Sequence, residues 1–273
     1  MEECLRKIKH IGIIILPAVT FYMLFGICEH MVIGDLIGFV KEEFTIPGLI
    51  AFLLFNGQLF VGGHLWFLFA LLYVYLAYAV IIKLKLKNYS KYLCVVLLLL
   101  HFILAYGSFF IGYALKAGFY RNWLFEGLPF FLFGKIFYEN SDRWSEKQKL
   151  KYKGLLLIVV GLISSVMERI ALGRDFSVHI GSVIALEGML MWAVDGSVPF
   201  GKKLIFIGRE LSVYVYIYHL AIYMLFDYLY KILKLNQNIV VFWIRPINTL
   251  LWSIVVAYTI YFVLEKRKNI KKI

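Results

Sequence analysis

The sequence predicts an all-α protein. It reads as a polytopic integral membrane bundle of about eight transmembrane helices plus one re-entrant or surface segment, with both termini in the cytoplasm. Three observations lead there. Of the 273 residues 62% are hydrophobic, and mean hydropathy is +0.80, more apolar surface than a soluble domain of this length could bury. The apolar residues come in runs close to the ~20 residues that cross a bilayer as a helix. Basic residues are spread unevenly over the intervening loops, which fixes orientation. The alternation of a β-barrel is absent, and helices satisfy their backbone polar groups internally.

In chain order the expected spans are Ile11–Cys28, Leu65–Ile82, Tyr92–Leu115, Trp123–Tyr138, Gly154–Leu172, His179–Val194, Leu211–Leu233 and Thr249–Leu264. The fourth and sixth are short, which suits a tilted or partly interfacial helix. A further apolar run, Pro47–Gly63, holds Asn56, Gln58 and four glycines. Charge decides its placement. With the N-terminus inside, 21 of the 29 Lys and Arg residues fall in cytoplasmic segments. These run from Arg6, Lys7 and Lys9 through the Lys83–Lys91, Lys135–Lys153 and Lys202–Arg209 groups to the C-terminal cluster. Lys41, Lys116, Arg121, Arg169, Arg174, Lys231, Lys234 and Arg245 fall outside. The alternation holds only if Pro47–Gly63 does not cross, which places His64 at the outer mouth of its helix.

The net charge of +12 belongs to loops facing anionic lipid rather than to nucleic acid. Cys4, Cys28 and Cys94 are too scattered for a disulfide framework or a zinc site. No cleavable signal is expected, because Met1–His10 is charged. No repeat or low-complexity linker divides the chain, so one membrane domain over 1–273 is expected. Phosphate-loop, serine-hydrolase and metalloprotease motifs are absent, and no metal or resident cofactor is implied.

Polar groups within apolar runs are costly and mark candidate sites. His64, beside Trp66, is either an interfacial anchor or a general base. Arg121 and Asn122 open the fourth span, with Glu126 five residues on; they either pair or bind a polar acceptor. Pro129 is expected to kink that helix. Glu187 lies mid-span and needs a partner or a proton. His219 follows Tyr218 near a helix end, and His101 lies in a leucine run; lone histidines often bond between helices. Glu168, Arg169 and Asp227 read as rim charges.

Three stretches resemble the acyltransferase 3 family of integral membrane acyltransferases. "GGHLWFLFALLYVYL" is similar to the family's histidine-leucine-tryptophan-phenylalanine block. "RNWLFEGLPFFLFG" is similar to its arginine-led block, which also resembles the membrane part of vancomycin-resistance serine racemases. "IGRELSVYVYIYHLAIYML" is similar to its closing tyrosine-rich helix. The resemblance implies transfer of an acyl group, commonly acetyl, from acyl-CoA as co-substrate to a glycan or another extracytoplasmic hydroxyl or amine. It points to His64, Trp66, Arg121, Glu126, Gly127, Tyr218 and His219. Together with the ionisable residues this gives His64, His219, Glu126 and Glu187 as catalytic candidates. Trp66, Arg121, Asn122 and Tyr218 are the substrate-binding ones. Family members have about ten helices, and the first carries the arginine and histidine thought to be catalytic. "CLRKIKHIGIIILPAVTFYML" resembles the third, so the resemblance implies that two helices are missing and that activity of the chain alone is weak. The rival reading is a transporter or binding protein for a small polar metabolite such as an amino acid.

Overall fold

The computed structural model describes residues 1–43, 45–55, 63–112, 115–141, 150–174, 176–194, 201–235 and 237–270. Among them every regular element is helical. The helices are α1 (Glu2–Ile33), α2 (Leu36–Glu43), α3 (Ile46–Phe55), α4 (Gly63–Lys83) and α5 (Leu86–Gly107). They continue with α6 (Leu128–Glu139), α7 (Leu150–Leu172), α8 (Ile180–Val194), α9 (Lys202–Ile232) and α10 (Ile239–Ile270). Six of these, α1, α4, α5, α7, α9 and α10, contain stretches long and apolar enough to cross a membrane. The two runs expected to be short are short. At 1.5 Å per residue, α8 spans only about 22 Å, less than the ~30 Å of bilayer hydrocarbon. The run Pro47–Gly63 is helical as far as Phe55, while Asn56 and Gln58 lie outside the described residues, as do the basic residues Arg143, Lys147 and Lys149.

The chain divides into two compact units, Met1–Val198 and Pro199–Ile273. In the first, α1 packs on α4, and α5 packs on α6. Cys4, Val74, Tyr78, Ile81, Cys94, Leu97, Leu128 and Leu132 form a shared core. Both buried thiols bond to main-chain carbonyls, Cys4 to Tyr75 at 3.1 Å and Cys94 to Pro129 at 3.3 Å. Polar donors inside an apolar bundle have to find acceptors there. Outward-facing apolar side chains such as Leu16 and Ile170 are exposed, as lipid-facing residues of a membrane bundle are.

α7 and α8 meet through glycines seven residues apart on each helix, Gly154 and Gly161 against Gly181 and Gly188. A Cβ on Gly154 would lie 2.8 Å from the Gly188 carbonyl oxygen. One on Gly161 would strike the backbone of Gly181 and Ala185. Ser165 and Ser182 hydroxyls share a 3.3 Å hydrogen bond across the same seam. Small residues let backbones approach where lipid supplies no hydrophobic drive for helices to associate.

In the second unit α9 and α10 pair. Arg245 opposes Asp227 at 2.8 Å, with Lys231 on the other carboxylate oxygen at 2.8 Å. The guanidinium lies over the rings of Tyr223 and Tyr230 and its side chain is only 13% exposed. Asp227 is thus no free rim charge: it joins the two helices of the unit.

Gly161→Val should lower the thermal stability of the detergent-solubilised protein by about 1–3 kcal/mol, the usual cost of overpacking. Gly12→Ala, at an unobstructed helical position, should not lower melting, since alanine is the better helix former. A second prediction concerns Glu139, which bonds Lys87 and Lys135 at 3.0 Å each just past the fourth apolar run. Burial alone would raise its carboxyl, but the two ammonium groups hold it below its ordinary value of 4.5. A carboxyl lowered in the folded state contributes stability above its unfolded value and loses it as pH falls through the lowered one. Glu139→Gln should therefore melt below the wild type at pH 7, and the two should converge in acid.

Candidate functional site

The site grows from a helix start. Asn122 has extended backbone, φ −147° and ψ 177°, and its Oδ1 accepts from the Leu124 and Phe125 amides at 2.9 and 3.0 Å. Its Nδ2 donates to the Gly118 and Phe119 carbonyls at 3.0 and 3.1 Å. At 2% exposure, Asn122 satisfies helix amides that apolar surroundings would strand. Both ends of its amide are engaged with backbone.

The next turn is wide. Gly127 N–H reaches back five residues to the Asn122 carbonyl at 3.1 Å, and Leu128 N–H reaches Trp123. This π-type turn over Trp123–Gly127 precedes Pro129, which lacks an N–H for a regular helix bond. The expected kink at Pro129 therefore takes the form of a π turn on its N-terminal side. Gly127 sits where a Cβ would come within 3.0 Å of Val74, so this turn lies close against α4.

Glu126 belongs to this turn. Its carboxylate faces the Ser177 hydroxyl and feels the charge of Arg121, while its Oε2 is buried without a hydrogen-bond partner. Arg121 and Glu126 form no ion pair; the exposed guanidinium lies 5.0 Å over the Trp66 ring instead. Trp123 donates from Nε1 to the Leu54 carbonyl at 3.0 Å and meets Tyr73 edge-on. His64 stands edge-on to the fully buried Tyr22, with ring centroids 4.8 Å apart. The structure thus brings Trp66, Arg121, Asn122 and Glu126 together at one end of the first unit, with His64 two residues from Trp66. Glu187 is not drawn in. It lies two turns into α8 and makes no hydrogen bond or ion pair among the described residues. Tyr218 and His219 belong to the second unit, where His219 Nδ1 donates to the Tyr216 carbonyl at 2.6 Å.

A second polar group was not legible as such. Glu168 is enclosed rather than a rim charge. Its Oε1 accepts from the Gly181 amide at 2.8 Å, and its Oε2 from the Ile180 amide at 3.0 Å and from the Tyr106 hydroxyl. The carboxylate of α7 thereby caps the N-terminus of α8, where amides and helix dipole favour an anion. His179 Nδ1 lies 3.5 Å from the same Oε2. Phe176 stacks on Tyr106 at 4.3 Å, and Gly173, at φ +60°, turns the chain out of α7. The segment from Phe176 to His179 therefore touches both carboxylates, Glu126 through Ser177 and Glu168 through His179. The sequence signal was the run "GRDFSVHIGS" between two helices: a histidine placed directly before a glycine-containing helix start.

These features define a multi-pass membrane protein whose polar side chains gather at one end of a helical unit. Residues 4–264, nearly the whole chain, match the model of the acyltransferase 3 family, described as an acyltransferase domain. The chain belongs to that family, a family of membrane acyltransferases. No curated protein and no solved structure matches it.

Asn122→Ala should cost about 1 kcal/mol of stability through the lost cap. Asn122→Asp keeps the accepting oxygen but turns a buried carboxylate oxygen onto the Gly118 and Phe119 carbonyls, so it should not recover the loss. Chemical denaturation of the purified variants measures the difference.

Proposed function

We propose that this chain transfers an acyl group, acetyl before others, from acyl-CoA to a hydroxyl or amine of a glycan or similar extracytoplasmic acceptor. The observation that carries the reading is the set at the start of the fourth apolar run. An exposed Arg121 guanidinium rests on Trp66, beside a Glu126 carboxylate whose Oε2 lacks a protein partner. A sugar hydroxyl both donates and accepts. It can donate a hydrogen bond to Glu126 and accept one from Arg121, while an indole edge suits the apolar face of a sugar ring. Asn122 holds this turn in place rather than touching the acceptor. His64 remains an acceptor-side residue, and His219 donates from Nδ1 to the Tyr216 carbonyl.

On the donor side, Lys202 and Lys203 line a groove of about 510 Å³ floored by Phe206, Leu211, Val255 and Tyr258. Cationic side chains above an apolar trough suit a phosphate-bearing carrier with an acyl arm. The orientation expected from the charge pattern puts these lysines on the cytoplasmic side, where acyl-CoA is made.

The test uses the full chain in proteoliposomes with radiolabelled acetyl-CoA and a membrane extract. Label should appear in an acceptor with release of one free CoA thiol per transfer. Arg121→Ala should raise the acceptor KM roughly 10- to 100-fold, the worth of one charged hydrogen bond, with a smaller change in kcat. Accumulation of a polar metabolite in the vesicles with no CoA released would instead support transport.

A further inference from the structure

The groove of about 510 Å³ in the second unit is longer than an acetyl donor needs. Lys202 and Lys203 stand at its start, and Leu211 lines it further along α9. At 1.5 Å per residue the trough runs about 12 Å from the lysines. That is close to the ~15 Å of one leaflet, half of the bilayer hydrocarbon. Its walls are apolar: Phe206, Ile207 and Leu211 from α9, and Ile254 and Val255 from α10. Thr259 also lines it, but its hydroxyl bonds the Val255 carbonyl of its own helix at 3.0 Å. Leu211 is 1% exposed, whereas Val255 and Tyr258 are 52% and 53% exposed. The trough is closed behind and open along its side. On helices long and apolar enough to cross a membrane, such an opening faces lipid chains rather than water.

The polar end suits an anion. Both lysines are exposed, and among the described residues no salt bridge engages either. Glu210, two turns further along α9, is taken by Arg209 at 2.7 Å. Phe206 packs edge-on against Tyr261 at 5.4 Å and against Tyr258 at 6.5 Å. Tyrosines gather at the headgroup boundary of a bilayer, so lysines and tyrosines mark one depth, with headgroup on one side and chains on the other. An acetyl arm would leave most of the trough to hydrocarbon. A phospholipid fills it with one chain and sets its phosphate on the lysines. A zwitterionic headgroup brings its own ammonium and gains less from them.

We propose that the α9–α10 groove binds an anionic phospholipid of the bilayer, with its phosphate at Lys202 and Lys203 and one acyl chain along Phe206, Leu211 and Val255. A consequence for regulation rests on the acyl-transfer reading above. Acyl-CoA carries the same chemistry, phosphate and acyl arm, and must displace this lipid. Anionic lipid is therefore a competitive inhibitor towards the donor.

The experiment places the full chain in phosphatidylcholine nanodiscs with a trace of phosphatidylglycerol whose acyl chain carries a photoactivatable diazirine. Adducts mapped by mass spectrometry should fall on the groove residues. Lys202→Gln/Lys203→Gln should cut them about 25-fold, each cation near a membrane surface being worth ~5-fold. The same change should leave labelling by a phosphatidylcholine probe untouched. Lys83→Gln/Lys91→Gln removes equal charge from exposed positions on α4 and α5 and should not alter the groove adducts. Val255→Trp fills the trough and keeps both lysines. It should displace the chain adducts, and it carries the test if the double lysine variant does not fold. In vesicles supplied with acetyl-CoA, a larger phosphatidylglycerol fraction should raise the donor KM with kcat unchanged. Lys202→Gln/Lys203→Gln should flatten that dependence, which general repulsion of CoA by an anionic surface would not. Groove adducts that ignore headgroup charge or both lysines would overturn the lipid site. A donor KM indifferent to phosphatidylglycerol, with the adducts present, would overturn the competition alone. The expected adducts without CoA release in any vesicle would support the lipid site and overturn acyl transfer.

Discussion

The first unit depends on one carboxylate meeting one helix end. α8 is short, and its first amides need acceptors that its own helix cannot supply. Glu168, from the last turn of α7, accepts from two of them. That bond becomes possible because the glycine seam lets α7 and α8 approach backbone to backbone. Phe176 then stacks on Tyr106 of α5, and Ser177 arrives beside Glu126. Packing by small residues thus fixes an electrostatic contact, and that contact fixes a loop.

Within the described residues three wide turns interrupt the helices, over Ile103–Gly107, Trp123–Gly127 and Ile207–Leu211. Each carries polar residues that a regular helix would rotate elsewhere. The first holds Tyr106, which donates to Glu168, and the second holds Glu126. The third holds Arg209 and Glu210, which pair at 2.7 Å. An extra residue per turn swings the following side chains by about 100°, since a regular turn has 3.6 residues. Such turns recur at functional sites because they aim side chains at the expense of regular hydrogen bonding. Asn122 offsets part of that loss at the second turn by bonding the stranded amides.

What could be read in advance follows from what leaves a periodic or compositional trace. The long apolar helices were legible because bilayer thickness dictates their length, and the shortness of the fourth and sixth runs was legible for the same reason. Trp66 and Arg121 were legible as members of two motif blocks, but that the guanidinium lies over the indole ring is seen only in the structure. The wide turn before Pro129 was half legible: proline announces a disturbed helix, but whether it bends, breaks or widens depends on capping by Asn122 and on contact with α4. Glu168 was not legible. A Glu-Arg pair near a helix end reads as surface charge, and only the α7–α8 approach turns it inward. The same holds for Asp227, whose partner Arg245 is 18 residues away on the next helix.

Asp227 and Glu168 show two ways of keeping a carboxylate among apolar helices, with different consequences for chemistry. Asp227 is answered by Arg245 and Lys231. Opposite charges neutralise one another locally. Glu168 is answered by neutral donors: two amides, a phenol and, at longer range, an imidazole. These stabilise the anion without cancelling its charge. A carboxylate paired with arginine holds helices together. A carboxylate held by dipoles also holds them together, but its charge is not cancelled. That difference is set by the donors rather than by the carboxylate.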